Sequence, residues 1–298
     1  MILDPDRSLS HALTQFMVKR YARAVSMELG DWLEQNPPPS ICEPKYDGFR
    51  VFIFKSGEKL LLTTRHGVIY SQGSHPQLFK KIAPLRKGTG VPEKVVLDGE
   101  YIAPDGLSIF DVIRIGEDEV TEKPLIERKK ILASILSGGR EFLSVKYEFA
   151  GSYQEIMKYK SKLIADGAEG VVIKNPGSRY GQKNSWLKLK KFDTVDCFVT
   201  GIDRTIEMDR TGIPHSWFIG LYDDRGQVME MGKVGTYLKE VDPSRIKVGT
   251  VIEIRFQEVT VDLKFRGPLI IRVREDKKKE DCTFSQIPAI SRKQPPLK

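Results

Sequence analysis

Apolar residues recur at helical spacing early in the chain. Leu13, Phe16, Met17, Tyr21 and Ala24 fall on one helical face, which predicts a helix over residues 8–34. Pro37, Pro38 and Pro39 end it. Strand-type runs follow. Residues 51–54, a Ser56-Gly57 turn and residues 60–64 predict a hairpin. A further strand over residues 95–97 runs into Asp98-Gly99-Glu100. Residues 127–137 and 152–166 read as helices, and 170–174 as a strand. Hairpins with inserted helices predict an α+β domain.

The pattern changes after Phe192. Short apolar runs then alternate with turns: CFVTGI, WFIGLY, VMEMGKV, TVIEIRFQEV and LIIRVRE, with Asp224-Arg225-Gly226 turning between two of them. Five such runs fit a small closed barrel of the OB type, with one helix-compatible stretch between the third and fourth. The domains are therefore expected at residues 1–192 and 193–290, with the boundary near 191–194. The basic, proline-containing stretch 291–298 is expected to be a disordered tail.

Composition narrows the class. A chain of 298 residues, 40% hydrophobic, can bury two ordinary cores. No apolar run approaches a membrane span, and MILDPDRSLS lacks the apolar region of a secretory signal. The expected setting is soluble, intracellular and cytoplasmic, with no membrane partner and a monomeric chain. Three scattered cysteines and four histidines offer neither a disulfide framework nor a zinc site. The net charge of +8 suits a polyanionic partner.

Ordered clusters carry the chemistry. Glu43-Pro44-Lys45-Tyr46-Asp47-Gly48-Phe49-Arg50 holds a lysine that becomes a nucleophile once it is deprotonated. A charged surface turn is the plain alternative. Thr64-Arg65-His66-Gly67 ends a strand, where an arginine can grip a phosphate or simply be solvated. Glu100, ending Asp98-Gly99-Glu100, can bind a ribose hydroxyl or a metal, and Phe110 can stack on a purine or fill a core. In Glu169-Gly170-Val171-Val172-Ile173-Lys174, alternation puts Glu169, Val171 and Ile173 on one face, and Val172 and Lys174 on the other. In Trp186-Leu187-Lys188-Leu189-Lys190 both lysines point one way, which suits an anion between them or an exposed basic edge. Arg272, Arg274, Asp276 and Lys277 form a last charged cluster.

Taken in order, these clusters resemble the nucleotidyltransferase motifs shared by ATP-dependent DNA ligases and mRNA-capping enzymes, over nearly all of residues 40–285. Glu43, SWLKLKKF and RVREDKKKEDCT favour the DNA ligases. The resemblance implies an ATP-grasp-like nucleotidyltransferase domain followed by an OB-fold barrel. It implies ATP as cofactor, Mg²⁺ or Mn²⁺, and nicked duplex DNA as partner, with AMP carried on Lys45. It assigns Glu43 to the adenine amino group, Phe110 to adenine stacking, and Glu100 to the ribose and the metal. Glu169 is assigned to the metal, Lys188 and Lys190 to the α-phosphate, and Lys174 to a place beside the nucleotide phosphates. Asp47, Arg50 and Arg65 act at the nick, and Arg274, Asp276 and Lys277 on the pyrophosphate. An RNA ligase or a capping-type guanylyltransferase is the alternative within the superfamily, and a non-catalytic nucleic-acid-binding module the alternative outside it. Only residues 1–44 precede Lys45, so the large N-terminal DNA-binding domain of many cellular ligases is not expected here. A sliding clamp or end-binding protein is the expected aid to DNA grip, with the 203–215 loop as an extra contact.

Overall fold

The strand-type runs of the N-terminal half pair into two antiparallel sheets. The computed structural model describes residues 21–288, apart from 88–89, 105, 139, 141–142, 204–211, 213 and 236. It divides into two units, Met1–Lys190 and Lys191–Lys298. In chain order the strands of the first unit are β1 (Ser40–Lys45), β2 (Phe49–Ser56), β3 (Lys59–Thr64), β4 (Lys94–Ile102), β5 (Gly106–Ile115), β6 (Asp118–Glu119), β7 (Glu148–Ala150), β8 (Gly170–Lys174) and β9 (Trp186–Lys190). One sheet has the order β3-β2-β4-β5-β6 and the other β7-β1-β8-β9.

Each sheet buries one face under helices. The helices Pro76–Ile82 and Leu125–Ile135 supply Leu78, Ile82, Leu132 and Ile135 to a core with Val51, Ile53, Leu97 and Ile109. The helices Leu29–Gln35 and Tyr153–Ala165 set Trp32, Ile156 and Leu163 against Cys42, Val171, Ile173 and Leu187. Ser152 caps the second of these by accepting from Glu155 N, and Glu155 reaches back to Gly151 N. The chain passes from one sheet to the other between β1 and β2. Gly48 sits in that crossing, where a Cβ would lie 2.5 Å from the Tyr101 carbonyl oxygen. The glycine of the lysine motif thus serves close backbone approach to β4.

The predicted N-terminal helix needs correction. Its residues 8–20 lie outside the described residues, and only Leu29–Gln35 of the remainder is helical. Val25 instead forms a parallel bridge to Leu187, receiving a hydrogen bond from Lys188 N and donating one to Trp186 O. The open edge of β9 offers backbone partners that outweigh local helix propensity.

In the second unit the strands are β10 (Asp193–Ile202), β11 (Trp217–Tyr222), β12 (Val228–Val234), β13 (Val251–Phe256), β14 (Glu258–Val259), β15 (Phe265–Arg266) and β16 (Leu269–Val273). Trp217, Ile219, Ile252, Ile254, Phe256 and Ile270 form its buried core. The expected closed OB barrel is not found. Five strands make an open antiparallel sheet in the order β12-β11-β10-β13-β16, and β14 and β15 form a separate ribbon. Bulges between Val199 and Gly201, Ile219 and Gly220, and Glu253 and Ile254 bend the sheet. Its edge strands β12 and β16 do not pair among the described residues, and closure requires that last ladder. Among the described residues the helix-compatible stretch holds only a single 3₁₀ turn, Pro243–Arg245. The basic tail 291–298 and most of the 203–215 loop lie outside the described residues. Among the described residues no helix is long and apolar enough to cross a membrane.

Gly170 gives a direct check on the first unit. A Cβ there would lie 2.1 Å from the Leu189 carbonyl oxygen, so alanine must push β9 away. Gly170→Ala is expected to cost roughly 1–3 kcal/mol in urea unfolding, the usual range for overpacking. An unchanged unfolding midpoint would contradict the β8–β9 register.

Candidate functional site

Strand register builds the site. Lys45 lies opposite Gly170, and Gly170 opposite Lys190. Glu43 lies opposite Val172, and Val172 opposite Lys188, while Lys174 faces Trp186. Directly paired residues share a sheet face. Glu43, Lys45, Lys174, Trp186, Lys188 and Lys190 therefore stand on the face that the helices leave open. A cleft on this face is lined by Glu43, Lys45, Lys174, Trp186 and Lys188, with Arg50, Glu100 and Phe110 from the other sheet.

At one end of the cleft Glu43, only 3% exposed, is ion-paired with Lys174 at 2.6 Å and with Lys129. Burial pushes this carboxyl up, but the two ammonium charges outweigh it and hold it below the usual range. Lys174 is pulled down to about 8 by burial, against the opposing charge of Glu43. Its ammonium sits 3.8 Å from the Trp186 ring centroid and 4.5 Å from that of Phe110. The Phe110 and Trp186 rings meet edge to face with centroids 6.0 Å apart. The buried Trp186 indole N–H has no hydrogen-bond partner among the described residues.

At the other end Glu169 bridges two lysines. Lys45 Nζ lies 2.5 Å from Oε2 and Lys190 Nζ 2.7 Å from Oε1. Burial raises the Glu169 carboxyl, but hydrogen bonds and charges from Lys190 and Lys45 bring it below its ordinary value. Lys188 is lowered by burial and then by the charges of Lys190 and Lys45. Glu100 is pushed up to about 7, chiefly by burial, while Arg50 and Lys45 oppose the shift. Arg50 grips Asp98 through Nε and Nη2, both at 2.5 Å, which leaves Nη1 outside the bidentate grip.

The structure thus gathers Glu43, Lys45, Arg50, Glu100, Phe110, Glu169, Lys174, Lys188 and Lys190 around one open face. It places Lys174 with Glu43 and the two aromatic rings. Asp47 and Arg65 are exposed, and neither lines the cleft. Arg65 Nε donates to His66 Nε2 at 2.9 Å. Arg274, Asp276 and Lys277 belong to the second unit. There Arg274 bonds Asp276 at 2.9 Å, and Asp196 draws in Arg274 at 2.9 Å and Lys277 at 2.6 Å.

One placement read from alternation is corrected. Glu169 joins the face of Val172 and Lys174, because it precedes the strand and escapes its regular alternation. Sequence reasoning missed Trp186, Lys129 and Asp196. The first was legible, since it lies two residues before Lys188 on the same strand face. Lys129 sits in a charged run of a helix that reads as solvated, and only the tertiary contact reveals it.

The donor set also bears on a metal. Among the described residues no group of three metal-binding side chains occurs. Glu100 lines the cleft, and the charge of Glu169 adds to the rise of its carboxyl. Two carboxylates suit Mg²⁺, which takes one or two carboxylates plus substrate phosphates and keeps several waters.

Comparison with known proteins supplies the wider frame. Over 308 aligned residues the chain is 27% identical to DNA ligase 2 of Methanosarcina mazei, covering 82% of this chain and 53% of that protein. It is 24% identical to DNA ligase C of Mycobacterium tuberculosis, covering 67% of this chain and 63% of that protein. The chain thus spans about half the length of the first and under two thirds of the second. Two solved structures share the fold. One, named Pmar-Lig_Pre., matches at a TM-score of 0.67 and 19% identity, over 91% of this chain and 71% of that one. The other, from a structure-function study of Lig E DNA ligases, matches at 0.59 and 16% identity, over 85% of this chain and 99% of that one. The family model for the ATP dependent DNA ligase domain matches residues 22–107 and 103–190. With more than half of its length matched, from the extended segment before the first helix to the paired lysines of β9, this chain belongs to the ATP-dependent DNA ligase family.

Proposed function

We propose that this chain seals nicks bearing a 5′-phosphate and a 3′-hydroxyl in duplex DNA, using ATP and passing through lysyl-AMP and DNA-adenylate. The observation that carries this is Lys45, set in the cleft against Glu169 with Lys188 and Lys190 beside it. The relatives named DNA ligase support the same reading.

Adenine takes the aromatic end of the cleft, against Phe110, with Glu43 near its amino group. Trp186 and Lys174 offer donors to ring nitrogens or to the sugar. Lys45 must lose a proton to attack, and Glu169 Oε2, 2.5 Å from its Nζ, orients the amine. The Lys45 nitrogen then bonds to the α-phosphorus of ATP, and the bond to pyrophosphate breaks. Lys188 and Lys190 balance charge on that phosphate, in line with the dominance of positioning and electrostatics in phosphoryl transfer. A divalent cation, Mg²⁺ or Mn²⁺, would be held by Glu100 and Glu169 and would neutralise charge on the phosphate oxygens. Next an oxygen of the 5′-phosphate attacks AMP and frees Lys45. The 3′-hydroxyl then attacks that phosphate, and AMP leaves. Arg50, fixed by Asp98, presents its Nη1 edge to the nick phosphate. Arg274 and Lys277, gathered by Asp196 in the second unit, are assigned to the pyrophosphate.

Two outcomes follow. Mixed with ATP and Mg²⁺, the protein should gain the mass of AMP, and pyrophosphate should remove it. Lys45→Arg should abolish the adduct, because arginine keeps its charge and does not deprotonate. Labelling of that variant at the wild-type level in mass spectrometry would place the nucleophile elsewhere.

The second concerns pH. Glu100, with its carboxyl pushed up to about 7, is neutral below that pH and anionic above it. Only the anion holds a cation, so the rate of AMP transfer to Lys45 should rise as pH passes through about 7. Raising Mg²⁺ should move the midpoint lower, because the cation favours the ionised carboxyl. A midpoint indifferent to Mg²⁺ in a pH–rate titration would assign the titration to another group.

A further inference from the structure

Arg50 is enclosed by aromatic rings as well as by its aspartate. Its guanidinium lies 4.7 Å from the Phe110 ring centroid, 5.6 Å from Phe52 and 5.9 Å from Trp186. Asp98, its bidentate partner, is fully buried. That carboxylate has another donor. The Tyr180 hydroxyl donates to Asp98 Oδ2 over 2.7 Å. Burial keeps this phenol well above its ordinary pKa, so it remains a donor.

Tyr180 comes from residues 175–185, the connection between β8 and β9. This segment is itself anchored. Tyr180 N donates to Thr121 O at 2.9 Å. The Ser178 carbonyl accepts from Leu125 N at 2.9 Å and from Arg128 Nη1 at 3.1 Å. Arg128, without exposed surface, also holds Asp111 at 2.8 and 3.0 Å. Asp111 is the cross-strand partner of Asp98. Two buried aspartates thus face each other in register, and each is matched by one arginine.

An arginine and an aspartate bonded only to each other can swing as a unit. The Tyr180 hydroxyl ties this pair to the segment joining the two strands that carry Lys174 and Lys188. We propose that Tyr180 is a positioning residue for Arg50, acting through the Asp98 carboxylate to hold the Nη1 edge of the arginine toward a phosphate in the cleft. This rests on the reading of Arg50 as the group that meets the nick phosphate.

The test is Tyr180→Phe, which removes the hydroxyl and keeps the ring, compared with Arg50→Lys, which loses the bidentate grip. Single-turnover sealing of a nick already carrying AMP on its 5′-phosphate is measured without ATP, beside the rate of lysyl-AMP formation and the thermal midpoint. Tyr180→Phe should slow sealing by about tenfold, the scale of one hydrogen bond to a charged group. The loss should fall on the rate constant at saturating nick, and it should exceed any loss in lysyl-AMP formation. Added to Arg50→Lys, it should bring no further loss, because both act on one interaction. Wild-type sealing by Tyr180→Phe, or an equal fall in both steps with a lowered thermal midpoint, would overturn the proposal. If Arg50→Lys is impaired and Tyr180→Phe is not, the ligase reading stands and this inference fails. If the wild-type protein does not seal the nick, both fail.

Discussion

The site depends on the alignment of β1, β8 and β9 across Gly170. Lys45 and Lys190 flank that glycine in register, and no side chain stands between them. Glu169 fills the role of a bridge, with one carboxylate oxygen on each lysine. A residue larger than glycine would strike the β9 backbone. Three strands, one glycine and one carboxylate thus bring two cations together without leaving their repulsion uncompensated. On the proposed reading, a phosphate chain entering the cleft takes over that compensation.

The same sheet separates structure from chemistry by face. Cys42, Val171, Ile173 and Leu187 are sealed under two helices, so the opposite face is free to hold charge. At its inner end two ammonium groups meet the single carboxylate of Glu43 in almost complete burial. Buried charge is tolerated when it is paired and hydrogen-bonded, and aromatic faces lessen the cost for Lys174. The second sheet completes the cleft through Arg50, Glu100 and Phe110, which the short crossing at Gly48 brings alongside Lys45.

Much of this was legible in the sequence, for identifiable reasons. Period-two spacing puts Lys188 and Lys190 on one face, and the family resemblance assigns Lys45, Glu100 and Phe110 to one nucleotide. Other features depend on contacts distant in sequence. Lys129 reads as one more charge of a solvated helix until Glu43 is seen against it. Residues 21–28 read as helix because their periodicity cannot report the open edge of β9 that captures Val25. Five strand-like runs suggest a closed barrel, yet strand count says nothing of whether the first and last edges meet, and among the described residues of this sheet they do not. Glu169 was put on the wrong face because alternation was extended one residue beyond the strand.

The central claim is that this cleft transfers AMP from Lys45 to a nick and then joins the strands. The most direct measurement mixes the purified, AMP-charged protein with a nicked duplex and Mg²⁺, without free ATP, and follows both strands in a single turnover. The account predicts transient DNA-adenylate, then sealed product, with one AMP released for each strand joined. A charged protein that never passes AMP to the 5′-phosphate of the nick would contradict it.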